Sequence, residues 1–246
     1  MENSTTKTAI VTGAARGIGA AVARRLARDG LNVVVNYSGS ETAAQQIVED
    51  IKAAGGSAIA VKADVSDAEA VKQLFASAVA AFGSVDVLIN NAGIMKLSTL
   101  ADSDDALFDG QVAVNLKGSF NTLREAAQQL RDGGTIVNFS SSVVGLRLET
   151  YGVYAGIKAA IETMTSILAK ELRGRAITVN AVAPGPTATD LFLDGKPQEV
   201  VDRMAKMPPL ERLGTPADIA NVVAFLAGPD GTWINGQTLR ANGGIA

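Results

Sequence analysis

The sequence predicts an α/β fold, a parallel sheet of seven strands with helices between them. Three observations predict it. Short apolar, β-branched segments alternate with longer stretches of helical period, the pattern of repeated strand-helix-strand units. The first such segment runs straight into a glycine-rich turn and then a helix. No repeat, low-complexity tract or linker divides the 246 residues, of which 47% are hydrophobic, so the chain reads as one domain with a large core.

Strand 8–12 opens the fold and leads into Thr12-Gly13-Ala14-Ala15-Arg16-Gly17-Ile18-Gly19, followed by a helix over 20–28. Glycines here let the backbone approach a phosphate, and the helix start offers free N–H groups and a positive dipole end. Taken alone, the same glycines also suit an ordinary tight turn from strand to helix. Strands at 32–36 and 58–63 come next, and Ser66 with Glu69 three residues later predicts a capping box at the start of the following helix. Strands 85–90 and 134–140 follow. The stretch 154–172 carries Ile157, Ile161, Met164, Leu168 and Leu172, spaced as one buried helical stripe. Tyr154 and Lys158 sit beside that stripe, near the helix start. Strand 177–182 precedes the least regular region, which holds Pro186, Pro197, Pro208 and Pro209 and is long enough to form a mobile lid at about 186–214. Thr215-Pro216-Ala217-Asp218 then supplies a cap, a proline at the first helical position and an acid at the third. Strand 238–240 completes the set.

The chain contains no histidine and no cysteine. This excludes a Ser-His-Asp relay, a thiolate nucleophile and a metal held by either residue type, so proton transfer falls to another group. Tyr154 and Lys158 form a credible pair, because residues four apart share a helix face and an ammonium favours a phenolate. Bringing a tyrosine from about 10 to near 7 takes roughly 4 kcal/mol, within reach of a close cation in a partly desolvated cleft. In isolation the pair reads equally well as an exposed helix contact. Lys and Arg number 22 against 25 Asp and Glu, a net charge of -3, which gives no general attraction to nucleic acid or to an anionic membrane. A small soluble partner is expected. Residues 1–7 lack the basic and apolar regions of a signal peptide, and no apolar run approaches the roughly 20 residues that span a bilayer, so a cytoplasmic location is expected.

The spacing Gly13-x3-Gly17-x-Gly19, with Asn90-Asn91-Ala92-Gly93, Asn115, Tyr154-x3-Lys158 and Pro184-Gly185, resembles the short-chain dehydrogenase/reductase family over about residues 7–244. The resemblance implies a Rossmann-type, doubly wound parallel sheet with helices on both faces. It implies that Tyr154 is the proton donor to a carbonyl oxygen, that Lys158 lowers the tyrosine pKa and holds the nicotinamide ribose, that Ser142 donates to the substrate oxygen, and that Asn115 holds a water leading from Lys158 to solvent. Ser140, Ser141 and Ser142 are consecutive. Matching Ser142-Val143-Val144-Gly145 to the family's Ser-x-x-Gly selects Ser142, although its spacing to Tyr154 is one shorter than usual, and Ser141 is the alternative because only one strand neighbour faces the site. Relatives also carry Ser or Thr where Ile157 precedes Lys158.

For the cofactor, the resemblance implies contacts from Gly13, Arg16, Gly17, Ile18 and Gly19, from Asn36, Tyr37 and Ser38, from Asp64 and Val65, and from Asn91, Ala92 and Gly93. Tyr154, Lys158, Pro184, Gly185, Thr187 and Thr189 complete the set. No acid stands at the end of the second strand to hold a ribose 2'-hydroxyl, while Arg16 is suited to a 2'-phosphate, so NADP(H) is expected. Asp64 also reads as a simple turn acid before a cap. The stretch from Asn235-Gly236-Gln237 to Asn242-Gly243-Gly244 resembles family sequence near a subunit interface, implying a homotetramer. The substrate mouth is expected from Met95, Val143, Val144, the 147–151 loop and residues 191–193, largely apolar, with Arg147 and Glu149 as polar exceptions. The reading is an NADPH-dependent carbonyl reductase acting on a small-molecule ketone. The alternatives are a 3-oxoacyl-acyl-carrier-protein reductase, which needs a basic docking patch to which Arg173 and Arg175 contribute, and a non-catalytic NADP-binding regulator.

Overall fold

The computed structural model describes residues 6–246. The reading of the first residues as lacking a signal peptide falls on positions 1–5, outside the described residues. The strands are β1 (Thr8–Val11), β2 (Asn32–Tyr37), β3 (Ser57–Lys62), β4 (Val87–Asn90), β5 (Thr135–Phe139), β6 (Thr178–Pro184) and β7 (Thr238–Ala241). They form one seven-stranded sheet, all parallel, in the order β3-β2-β1-β4-β5-β6-β7. The helices are α1 (Gly17–Arg28), α2 (Glu41–Ala53), α3 (Ala68–Phe82), α4 (Asp105–Gln111), α5 (Gly118–Gln129), α6 (Val143–Leu146), α7 (Gly152–Glu171), α8 (Asp190–Leu193), α9 (Gln198–Lys206) and α10 (Pro216–Ala227). Between α4 and α5 the helix widens into a π-helical turn, Val112–Lys117.

Strand alternation explains why helices cover both faces. Register puts Ile10 beside Val34 and Leu88, Leu88 beside Ile136, and Ile136 beside Val179, one row that packs on α3, α5 and α7 through Leu74, Phe75, Leu123 and Leu168. Val11, Val35, Ile89 and Val137 form the opposite row and meet α1, α2 and α10 through Val22, Leu26, Ile47, Ile219 and Val223. A strand buried on both sides must be apolar at every position, which is why these segments read as continuous runs. Each fully buried Ile, Leu or Val contributes about 1.5–3 kcal/mol relative to exposure.

The sheet order reverses between β1 and β4, and the carboxyl ends of the strands open a crevice at that switch point. No helix among the described residues is long and apolar enough to cross a membrane.

Two local expectations have different outcomes. Thr215 caps α10 with the reciprocal bond from Asp218, and Pro216 stands at the first position. Arg212 pairs with Asp218 and holds its carboxyl well below the usual carboxylate range. Ser66, in contrast, is not the cap of α3. Asp67 is, accepting from the N–H groups of Glu69 at 2.9 Å and Ala70 at 3.4 Å. Asp64 accepts both the Ser66 N–H and its hydroxyl, which occupies Ser66 and moves the cap one residue on. The stretch 186–214 holds α8 and α9, and its two ends are pinned together by Ala188 N–H to Gly214 O at 2.9 Å and Gly214 N–H to Pro186 O at 2.8 Å.

Candidate active site

The glycine loop turns tightly between β1 and α1. Gly13 has φ +61° and Gly17 φ +55°, a region where side chains are strained. A Cβ on Gly19 would lie 2.5 Å from the Gly13 carbonyl oxygen and 2.6 Å from Asn91 Nδ2, so only glycine fits. Asn91 Nδ2 donates to the carbonyls of Thr12 at 2.9 Å and Gly13 at 3.2 Å. The Thr12 hydroxyl accepts the N–H groups of Asn91 and Ala92. Asn36 braces the loop from the other side, its Oδ1 accepting Gly13 N–H at 3.2 Å and its Nδ2 donating to Ala63 O at 3.0 Å.

No side chain caps α1, whose N-cap is Arg16 in extended conformation. Its first amides therefore face the cleft, an anion-binding helix start. The cleft is lined by Arg16, Gly17, Ile18, Tyr37, Ser38, Asp64, Val65, Ala92, Gly93 and Thr189, all expected from the sequence, with Ser40 and Asp190 in addition. Asn36 lines it too, but its amide is committed to the backbone. Asp64 likewise turns one oxygen to Ser66, the turn-acid reading.

At the other end of the cleft, α7 presents Tyr154 and Lys158. Lys158 is 5% exposed and its ammonium donates to Phe139 O at 2.7 Å, at the end of β5. Burial pushes it down to about 8 from 10.5. Its Nζ lies 5.6 Å from the Tyr154 ring centroid. The expected lowering of Tyr154 is not produced by this arrangement. Burial, with the neighbouring Tyr151 phenol, pushes Tyr154 up to about 12. The physical reason is that the ammonium is directed at the Phe139 carbonyl and both groups have lost solvent.

Asn115 is fully buried in the π-helical turn. Its Nδ2 donates to Ile94 O at 2.9 Å and its Oδ1 accepts Ile94 N–H at 2.8 Å, so its amide side chain is committed to the loop after β4. Asn115 holds the backbone beside Gly93, where an added Cβ would lie 3.0 Å from its Oδ1.

The three serines separate clearly. Ser140 donates to Glu162 Oε1 at 2.6 Å. Ser142, the expected donor, is 2% exposed, donates to Ala183 O at 3.2 Å and accepts from Asn242 Nδ2 at 2.9 Å. Its hydroxyl, though at the cavity lining, is thus engaged by backbone and by Asn242. Ser141 is half-buried, lines the cavity and has no acceptor for its hydroxyl among the described residues. The Tyr154 hydroxyl is likewise unpartnered among the described residues and opens into the same cavity.

That cavity adjoins the cleft at the start of α1 through Ile18, Asn91, Gly93, Thr189 and Leu191 and is also lined by Pro184, Gly185 and Thr187. Its outer wall is Met95, Val143, Leu146, Leu148, Tyr151, Phe192 and Met204. Arg147 and Glu149 do not line it, so the wall carries none of the charge the loop offers in sequence. Met204, from α9, carried no sequence signal. Nor did the pairing of Asn242 with Ser142, which are 100 residues apart.

A family model described as enoyl-(acyl carrier protein) reductase matches residues 13–246. An NADPH-dependent aldehyde reductase-like protein, chloroplastic, of Arabidopsis thaliana is 43% identical over 252 residues, covering 97% of this chain and 93% of that protein. The 3-oxoacyl-[acyl-carrier-protein] reductase FabG of Staphylococcus aureus is 43% identical over 242 residues, covering 98% of each. A short-chain dehydrogenase of Burkholderia cenocepacia, solved in complex with NADP, superposes with a TM-score of 0.92 at 38% identity over 99% of each chain. With the seven-stranded doubly wound sheet and the glycine loop, these place the chain in the short-chain dehydrogenase/reductase family of oxidoreductases.

Proposed function

We propose that the chain is an NADP(H)-dependent carbonyl reductase acting on a small-molecule ketone, with Tyr154 as proton donor and Ser141 as the second hydroxyl on the substrate oxygen. The observation that carries this reading is the pair of hydroxyls that have no acceptor among the described residues, Tyr154 and Ser141, the latter accepting only the Val143 N–H at 3.4 Å, both lining one largely apolar cavity that runs on from the uncapped start of α1. The residues fit a dinucleotide: free amides at the helix start suit its phosphates, Thr189 lies at the join between cleft and cavity, and Pro184, Gly185 and Thr187 line the cavity beyond it. Arg16 is exposed at the cleft, and Tyr37 and Ser38 rather than an acid follow Asn36, which supports the 2'-phosphorylated form. The NADP held by the Burkholderia relative supports it too.

When bound, the nicotinamide supplies the hydride. The chain's own part is to receive the charge that develops on the carbonyl oxygen. Tyr154, kept protonated by burial, delivers its proton to that oxygen, and Ser141 donates a hydrogen bond to it. Lys158, one turn from Tyr154, supplies positive charge at the floor. The segment 186–214 serves as a lid, an assignment supported by its pinned base and by the contribution of Phe192 and Met204 to the wall.

The carrier-protein alternative is supported by the Staphylococcus relative. The docking patch it needs is weakened here, because Arg175 directs its guanidinium to Asp132 and to the carbonyls of Ala127 and Leu130. NADPH oxidation with aryl ketones, β-keto esters and acetoacetyl thioesters tests the reading. A thioester far ahead of every free ketone favours the carrier-protein reductase, and no turnover at all favours a regulator. We further read the protein as a cytoplasmic homotetramer. Exposed Phe120 on α5 and Ile167 on α7 support assembly, and a monomer in analytical ultracentrifugation would exclude it.

A further inference from the structure

We propose that Tyr151 is a specificity-determining residue whose phenol hydrogen-bonds a second oxygen of the substrate, close to the carbonyl that is reduced. The proposal rests on the carbonyl-reductase reading of the site. Tyr151 is the N-cap residue of α7, and three positions before Tyr154 it lies over the same side of the helix start. Both phenols line the cavity. Their proximity is felt electrostatically, since Tyr151 contributes to raising Tyr154.

Tyr151 is only 9% exposed, yet its hydroxyl makes no hydrogen bond among the described residues. It is also not sealed away, because the single enclosed side-chain polar atom without a partner among the described residues is Thr8 Oγ1. The Tyr151 hydroxyl therefore opens into the cavity. Around it the wall is Met95, Val143, Leu146, Leu148, Phe192 and Met204, all apolar. A phenol without a partner in an apolar wall selects for a ligand that brings one, because a desolvated donor left unpaired opposes binding.

The loop that presents Tyr151 is built against backbone preference. Arg147 has φ 54° and Thr150 φ 69°, both non-glycine residues in the left-handed region. The strain is held from outside, by Ser98 N–H donating to Thr150 O at 3.1 Å and by Leu100 packed against Gly152. Such support fixes where the phenol points. The substrate class is then a ketone with a neighbouring carbonyl, hydroxyl or ester oxygen.

The test compares 1-phenylpropane-1,2-dione with 1-phenylpropan-2-one, which share a skeleton and differ by one oxygen, in the wild-type enzyme and in Tyr151→Phe. The ratio of kcat/KM for dione over monoketone is expected to fall about tenfold in Tyr151→Phe, the scale of one lost hydrogen bond. A ratio within about twofold of wild type overturns the proposal, even if both rates drop together, since that is the mark of a helix-start support. If the wild-type protein turns over no ketone with NADPH, the carbonyl-reductase reading fails on its own. Saturation-transfer NMR of the same two compounds still decides Tyr151: loss of the preference for the dione in Tyr151→Phe supports the proposal, and an unchanged preference overturns it.

Discussion

Asn242, on the loop after β7, donates its amide to the Ser142 hydroxyl at 2.9 Å, and the same amide donates to Ala246 O at 3.0 Å. The Ser142 hydroxyl donates to Ala183 O at 3.2 Å, while its N–H donates to Pro184 O at 3.0 Å. The loop carrying Ser141 is therefore tied from behind to β6 and to the segment after β7, and the serine beside it is a brace.

Replacing the two serines separates brace from donor. Ser141→Ala is expected to lower kcat for ketone reduction about a hundredfold while the melting temperature stays near wild type, the scale of one lost donor to a developing oxyanion. Ser142→Ala is expected to lose about 1–2 kcal/mol of stability, because the Asn242 amide loses its acceptor in a buried place. Urea unfolding alongside steady-state kinetics reads both, and the opposite pattern would restore Ser142 as the donor.

Lys158 gives a stability prediction with a definite sign. Its folded value of about 8 lies below the ordinary 10.5, so below about pH 8 both states carry the proton and the burial penalty is fully felt. Between about 8 and 10.5 the unfolded chain binds more protons, and stability rises with pH. The penalty is about 3 kcal/mol, offset in part by the bond to Phe139 O, so Lys158→Met is expected to be more stable than wild type by about 2 kcal/mol at pH 7. Denaturant unfolding at about pH 7 and again at about pH 9.5 should show that gap narrowing. A gap that holds or widens contradicts burial of the ammonium as its origin.

Tyr154, pushed up to about 12, stays a phenol through the neutral range and is ready to give a proton. Reduction is therefore expected to show no loss from Tyr154 ionisation between about pH 6 and 9, while alcohol oxidation, which needs the phenolate, rises with pH. Tyr154→Phe should lower kcat in both directions by at least about a hundredfold. Normal turnover by that variant would remove Tyr154 from the mechanism.

Gly19→Ala probes the phosphate end. The new methyl meets the Gly13 carbonyl and the Asn91 amide, so the loop must open and its bracing bonds lengthen. Fluorescence titration with NADPH is expected to show affinity at least about tenfold weaker, with Tyr154 and Ser141 untouched. Unchanged affinity would mean that the loop does not hold the dinucleotide.

Much of this was legible because its chemistry is local. The seven strands announce themselves as apolar runs, and the Thr215 cap needs only residues 215–218. Ser66 misled because Asp64 engages its N–H and hydroxyl while Asp67 takes the Glu69 N–H that a cap at Ser66 would have accepted. The serines were harder. Nothing in three identical residues says which one meets Ala183 and Asn242, since those partners arrive from 41 and 100 positions away. Tyr151 was expected at the mouth only as part of the 147–151 loop, since the apolar wall that makes its hydroxyl informative comes from separate parts of the chain. Asn115 was found by resemblance, but the use of its side chain by Ile94 depends on a widened helical turn that no spacing announces.

The pinning of Pro186 and Ala188 to Gly214 means that the chain leaves the scaffold and rejoins it at almost one point. Everything between is an excursion whose length the sheet does not register. Lengthening such a loop adds only about 0.6 kcal/mol for each doubling. The part of the cavity wall that Phe192 and Met204 contribute can thus be lengthened or exchanged between two neighbouring points of the chain without reopening the core.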